Sequence, residues 1–401
     1  MSSTAPSVKS ILVVLSNWSY PGQEGLHIQN GAVLQRLCQS GMRVHILAFV
    51  RAPATVDVAR LRADWGPNLD ITVSPIRVNY PLLLLQSLLL PSWLNPNWQA
   101  FQAMLTRVKP ALIHLEGIGI APWLGALTQQ CVLMSAVDAW SLRQSRLAQR
   151  ATGFKRLFLQ GYAALSRLTE HRYYRLAAAV HVVSEEDAHY LRSVCPNANV
   201  QVVPVGLMSM PSPRPLQAAT SPCLVFWGDL KVAYLRDGLL WLLTEVLPQL
   251  PEPQRSSLKL EVLGRREPDA QLLAAAGPQV TFTQWVDDVD KVLAGATVVV
   301  LPDASGSGMK NRTLHAMACG VPVVGTNFAF EGIAAPNDVA CMVRDNAYGF
   351  AIALAQLLTD EGKAQAIGQA GRQLVLDRYS LDAVVEGWRA LYTACGSKCG
   401  T

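Results

Sequence analysis

No stretch of this sequence is apolar for long enough to cross a bilayer. The most hydrophobic part, YPLLLLQSLLLPSWLNPNW at residues 80–98, is cut by Pro81, Pro91 and Pro96. Its longest piece, Leu82 to Leu90, falls far short of the roughly 20 residues that a spanning helix needs. The apolar start, ILVVL, is shorter than the core of a signal peptide, so a buried first strand is expected there. The eight cysteines include no Cys-x-x-Cys pair and no His/Cys grouping of zinc spacing. Most lie in apolar runs, as reduced thiols of a cytoplasmic protein do, with a Cys395–Cys399 pair in the tail as the alternative. Charge is also sparse, at 16% of residues, with a net +5. That is too little, and too unevenly spread, for a nucleic-acid binder. Residues 143–175 hold Arg143, Arg146, Arg150, Lys155, Arg156, Arg167, Arg172 and Arg175 against the single acid Glu170. This local +7 leaves −2 for the rest of the chain and suits an anionic partner.

What is present is an alternation. SILVVLS (10–16) is a short apolar run, followed by helical spacing in LHIQNGAVLQRLCQSG and a stop at Gly41. Strand-like runs recur at 43–50, 111–117, 131–137, 179–184 and 200–206. A Pro/Ser-rich stretch, 207–222, reads as a linker. The pattern then restarts: strands at 223–229, 258–264, 280–286, 296–302 and 321–326, and helices over 236–249, near 269–276 and at 381–392. Continuous apolar strands separated by helices indicate parallel sheets covered on both faces. The expectation is an α/β chain of two doubly wound halves.

One segment combines chemistry with structure: DASGSGMKNRTLHAMACGVPVVGT, residues 303–326. A strand feeds a loop with Gly306, Ser307 and Gly308, then Lys310, then a helix over NRTLHAMACG. Glycines let backbone approach a ligand, a helix start offers unpaired N–H groups, and Lys310 adds a full charge. Together these make a phosphate or diphosphate cradle. A tight strand–helix turn with a surface lysine explains the same spacing. The loop is neither a Walker sequence nor Gly-x-Gly-x-x-Gly. Leu314, Met317 and Ala318 form the buried stripe of the helix, and His315 falls off it, toward the ligand end.

The run GSGMKNRTLHAMACGVPVVGT…EGI resembles the donor-binding signature of the retaining family 4 (group 1) glycosyltransferases. Their GT-B fold has two Rossmann-like doubly wound parallel-sheet domains facing across a cleft. VLSNWSYPGQEGLHIQNGAVLQRLCQSGMRVHILAF, HVVSEEDAHYL, VQVVPVGL, LVFWGDL…DGLLWLLTEVLPQL and the tail ending WRALY are similar to family segments in the same order. The resemblance implies an acceptor-side domain at 1–206, a linker at 207–222, a donor domain at 223–380, and a helix at 381–401 crossing back to the first domain. It implies transfer of a sugar from a nucleotide-sugar donor to a saccharide, lipid-linked or natural-product acceptor, with retention and with no metal or cofactor. Gly306, Ser307, Gly308 and Lys310, with the amides of Asn311, Arg312 and Thr313, would hold the diphosphate and stabilise its growing charge. Backbone of Gln284, Trp285 and Val286 would meet the base. Gly228 and Lys231 would line the phosphate side, and Gly22 and Gly25 would bring the first-domain loop near the donor. Where many members carry two glutamates separated by seven residues, this chain has Ser307 and His315. His315 is then expected at the ribose, or as an ordinary helix-surface histidine. Glu331 is expected near the sugar, or as a solvent-facing loop acid.

On the acceptor side, Asp138 ends an apolar strand and suits an acceptor hydroxyl, or positive charge at the anomeric carbon; capping the next helix is the alternative. Asp138, Lys310, His315 and Glu331 are the catalytic candidates. His114, inside LIHLE, reads as a core histidine. Residues 143–175 interleave arginines with Phe154, Leu157, Phe158, Tyr162 and Leu165, as a solvated helix face does or as a peripheral contact with the inner membrane face does. Trp93, Trp98 and the 82–90 leucines add interfacial depth, core or an apolar acceptor pocket. Two other functions fit the pattern: a catalytically degraded GT-B protein partnering an active transferase, and a sugar-nucleotide epimerase or hydrolase.

Overall fold

The computed structural model describes residues 8–16, 18–22, 25–52, 55–76, 97–213, 222–264, 266–284, 286–305 and 308–399. They divide into two compact units, Met1–Val205 with Val384–Thr401, and Gly206–Ala383.

The first unit is built on a seven-stranded parallel sheet in the order β3-β2-β1-β4-β5-β6-β7. Its strands are β1 Ser10–Ser16, β2 Arg43–Val50, β3 Leu69–Pro75, β4 Leu112–Glu116, β5 Val132–Val137, β6 Ala179–Val182 and β7 Val200–Val202. β1, between β2 and β4, has an unbroken apolar centre because helices cover both faces; Ile11 to Leu15 are all buried. β3 escapes the sequence pattern for a physical reason. It is an edge strand, LDITVSP, whose apolar residues alternate with Asp70, Thr72 and Ser74 instead of running together. Trp98 packs against Phe101 and Trp123 at ring distances of 5.2 Å, so it belongs to the core and not to a membrane face. Trp93 and the leucines of 82–90 lie outside the described residues.

The helix Leu381–Cys399 closes this unit. Its Trp388 stacks on His114 at 5.0 Å, and its Tyr392 hydroxyl lies 2.8 Å from His114 Nδ1. His114 is thus a core histidine, as its position within a strand suggested. Burial, with repulsion from His181, pulls its pKa down to about 3.

The second unit holds a six-stranded parallel sheet, β10-β9-β8-β11-β12-β13. The strands are β8 Cys223–Trp227, β9 Lys259–Leu263, β10 Val280–Thr283, β11 Val298–Leu301, β12 Val323–Gly325 and β13 Met342–Val343. The chain starts in the middle, runs outward through β9 and β10, then returns to the other side of β8 with β11. Adjacent loops therefore diverge at the carboxyl ends of β8 and β11 and leave a crevice. The helix Ala233–Trp241 presses on the β11 end at Gly238, where a Cβ would sit 1.8 Å from the Pro302 carbonyl oxygen. Only glycine permits that approach. Leu207, at the start of the expected linker, is buried here, and its N–H bonds the Tyr379 carbonyl at 2.7 Å. Every cysteine is free, and all but Cys223 and Cys399 are buried.

Candidate active site

The crevice between β8 and β11 opens into a cavity of about 620 Å³. Most of its wall comes from the carboxyl ends of strands, and Leu207, Tyr234, Leu235 and Val289 add the rest. Trp227, Gly228 and Asp229 follow β8, Leu263 and Gly264 end β9, and Thr283, Gln284 and Val286 end β10. Met309, Lys310, Asn311, Arg312 and His315 come from the loop and helix after β11. Parallel strands must all point their carboxyl ends the same way, so the topology gathers Trp227 and His315, 88 positions apart in sequence.

The helix Asn311–Ala318 begins at the cavity, and no side chain caps it. Its first intrahelical bonds are Thr313 N–H and Leu314 N–H to the Lys310 carbonyl, at 3.0 and 3.3 Å. The Asn311 and Arg312 amides precede them and lie where an anion would complete the cap. Lys310 is buried, and its ammonium donates to the Gly308 carbonyl at 2.8 Å. Burial lowers its pKa, while the nearby carboxylates Glu331 and Asp303 oppose that shift. Glu331 therefore acts on Lys310 electrostatically rather than facing solvent alone. The turn after it folds onto this loop, where a Cβ on Gly332 would lie 3.4 Å from Met309 Cβ.

Arg312 is a strut as well as a wall. Its Nη1 donates to the Trp227 carbonyl at 3.0 Å, and its Nη2 pairs with Asp303 Oδ1. One guanidinium thus ties the end of β8 to the end of β11 across the crevice. Asp303 is fully buried, and burial raises its pKa despite Arg312 and Lys310. Thr313 is buried; its hydroxyl donates to the Ala329 carbonyl at 2.7 Å, which makes it a support for the helix. His315 lines the cavity with Nε2 2.5 Å from Asp290 Oδ1 and its ring edge-on to Trp227 at 5.3 Å.

The sequence candidates are thus partly gathered. Gly228, Gln284, Val286, Lys310, Asn311, Arg312 and His315 line one cavity. Gly308 and Thr313 adjoin it on the same loop and helix, and Glu331 stands beside Lys310. Lys231 is exposed on the β8 loop, outside the lining residues, its amide bonded to Asp229 Oδ1 at 3.0 Å. Trp285, Gly306 and Ser307 lie outside the described residues. Sequence reasoning missed Trp227, Tyr234, Gly264 and Asp303. Asp303 carried a usable signal, a lone acid closing the apolar run VVVLP.

Gly22, Gly25 and Asp138 belong to the first unit, after β1 and β5. Asp138 does not cap the helix Trp140–Arg150. The amides there are held by Asp187 Oδ1 on Ala139 at 2.9 Å and Glu170 Oε1 on Ser141 at 3.0 Å. Burial and Asp187 raise the Asp138 pKa, and Arg143, 3.9 Å away, works against them. The preceding Val137 has φ +66, a strained conformation for a β-branched residue and one that marks functional positions. Sequence reasoning also missed Glu116, the last residue of β4 at this sheet's own crevice. It is buried, accepts a 2.5 Å bond from Asn30, and burial pushes its pKa up to about 7.

Residues 221–360 match the family described as glycosyl transferases group 1. The match covers the sheet and most of the cavity of the Gly206–Ala383 unit and is a likeness of that stretch to the family. Solved structures extend the likeness over nearly the whole chain. Sucrose-phosphate synthase from Thermosynechococcus elongatus is 18% identical, with 96% of this chain and 98% of that one covered and a TM-score of 0.64. Anabaena HepE in complex with UDP is 12% identical over 95% and 99%, also at 0.64. WaaG, a glycosyltransferase involved in lipopolysaccharide biosynthesis, is 16% identical over 94% and 99%, at 0.59. The chain therefore has the GT-B fold, with two Rossmann-like sheets. No curated protein matches it in sequence.

Proposed function

We propose that this chain moves a sugar from a nucleotide-sugar donor to a saccharide, lipid-linked or natural-product hydroxyl, with retention at the anomeric carbon and no metal or cofactor in the transfer step. One observation carries the reading: an uncapped helix start and a buried lysine meet in the cavity at the carboxyl ends of β8 and β11. A diphosphate there accepts the Asn311 and Arg312 amides and the Lys310 ammonium. The bond from C1 to the diphosphate breaks with its electron pair going to the phosphate oxygen. The donors already present stabilise that charge as it grows, without reorganisation. The acceptor oxygen then bonds to C1 and gives up its proton to the departing phosphate oxygen. Gln284 and Val286 lie where the base would rest, and His315, held by Asp290, suits the ribose. Glu331 is placed to balance positive charge on the sugar. The donor occupies the Gly206–Ala383 unit, and the acceptor belongs to the first unit, where Asp138 is the candidate carboxylate and Gly22 and Gly25 serve the loop after β1.

We further place the protein in the cytoplasm and on the inner membrane face. The helix Gly153–Tyr173 exposes Phe154, Leu157 and Phe158 (86%, 65% and 52%) beside Lys155 and Arg156. Apolar side chains flanked by cations suit the boundary of an anionic bilayer. No described helix is long and apolar enough to cross a membrane.

Calorimetry with UDP, GDP and their sugars tests the donor site; UDP comes first because HepE was crystallised with it. Micromolar binding of one nucleotide, with release of its sugar to an acceptor, supports the reading. Failure to bind any nucleotide overturns it. Sedimentation with phosphatidylglycerol vesicles tests the membrane face, and Phe154→Ser/Phe158→Ser should abolish it.

A further inference from the structure

We propose that Asp290, His315 and Cys319 form a binding site for a zinc-class divalent cation at the edge of the switch-point cavity. Each residue offers one ligand atom, and these atoms all lie within 4.8 Å of one another. His315 and Cys319 are four residues apart, so one helical turn sets them on the same face. Asp290 comes from the first turn of the helix Val289–Gly295. That helix is capped by Asp288, which leaves the Asp290 carboxylate to turn toward His315.

The three atoms nearly match a tetrahedral zinc. Ligand bonds of about 2.0–2.3 Å place ligand atoms roughly 3.3–3.7 Å apart. The Asp290–His315 contact, at 2.5 Å, opens by under about 1 Å, and the sulfur, no more than 4.8 Å from either atom, closes by about 1.5 Å at most, both within reach of side-chain rotation. Trp227 against the imidazole edge limits the ring orientations to be sampled. Asp290 and His315 are part-exposed, so water can enter as the fourth ligand, while Cys319 is buried beneath them.

An oxygen, a nitrogen and a sulfur together favour zinc or cobalt over magnesium and calcium, which prefer all-oxygen shells. On binding, the Cys319 thiol loses its proton to solvent, and the imidazole carries its hydrogen on Nδ1 while Nε2 takes the metal. The cation does not touch the reacting atoms of the transfer step proposed above. It fixes His315, a wall of the cavity, in one orientation. Local spacing could not reveal this group, because Asp290 lies 25 positions before His315.

The test is cobalt titration of the full chain after treatment with chelator. One equivalent should produce a near-ultraviolet thiolate-to-cobalt band, which zinc abolishes and magnesium leaves intact. Cys319→Ala should remove the band and weaken zinc binding tenfold or more. Asp290→Asn, a change at a part-exposed position, should keep the band and weaken zinc tenfold or more. Absence of a band in the wild-type chain overturns the proposal. So does unchanged zinc affinity in either variant, which would place the metal on other thiols. Nucleotide calorimetry is a separate readout, so failure of the donor reading and failure of the metal site are distinguishable.

Discussion

Replacing Arg312 by Met should destabilise the Gly206–Ala383 unit severely and do so in a pH-dependent way. The guanidinium bonds the Trp227 carbonyl and Asp303, and the two side chains are 12% and 0% exposed. Methionine keeps much of the volume but leaves a fully buried carboxylate unpaired, and Asp303 Oδ2 already lacks a partner among the described residues. Removing one member of such a pair costs about 3–5 kcal/mol. In a unit of this size each kcal/mol moves Tm by about 2–4 °C, so the drop should be about 6–20 °C. The sign of the pH dependence follows from linkage. Burial already holds the Asp303 carboxyl above its ordinary range, and losing Arg312 raises it further. A carboxyl raised in the folded state costs nothing below its unfolded pKa, about 4, and costs more as pH climbs through the folded value. The deficit relative to wild type should therefore be larger at pH 8 than at pH 5. Scanning calorimetry of the full chain at both pH values is the assay. The double variant Asp303→Leu/Arg312→Met should regain most of the loss, because neither member of the pair is left buried without the other, and Glu331 still faces Lys310. A drop under about 2 °C, or an equal deficit at the two pH values, would refute the strut.

Lys310→Ala should weaken nucleoside diphosphate binding roughly 10- to 100-fold, the loss of one charged hydrogen bond; calorimetry showing unchanged affinity contradicts its place in the cradle. Gly238→Ala should cost about 3 kcal/mol or more, because the new Cβ meets the Pro302 carbonyl oxygen. Gly161→Ala, where nothing lies within 4 Å, should instead stabilise its helix by about 0.5–1 kcal/mol, and heat unfolding separates the two. The first unit should lose stability as pH falls from about 6.5 toward 4, since burial holds His114 near 3 and His181 near 4 while the unfolded chain takes up protons. Urea midpoints that stay level between pH 7 and 5 would contradict this. Glu116→Gln should stabilise the same unit above pH 7, where the wild-type carboxyl must ionise in a buried site, and should do little at pH 4; thermal melts read the difference.

Much of the architecture was already written locally. Apolar runs such as VVVL of β11 are short, β-branched and flanked by turn residues, and each reads as a buried strand from its own composition. The helix Asn311–Ala318 was legible for the same reason: Leu314, Met317 and Ala318 repeat at helical spacing and are all fully buried, and Gly320 stops the helix at φ +77. The loop–lysine–helix order that makes a cradle is likewise a matter of adjacent residues. What adjacency could not show is which side chains complete it. Arg312 looked like one more donor to a phosphate, yet it spans from Trp227 to Asp303. His315 read as a ribose contact or a helix-surface histidine, and nothing in the sequence showed that Asp290 holds it and Cys319 lies beside it. Glu116 drew no notice in LIHLE, because its raised pKa comes from what buries it. Strand and helix depend on the period of neighbouring residues along one chain. A partner across the sheet, the depth of a carboxylate and the reach of a guanidinium depend on distances that exist only once the strands have paired.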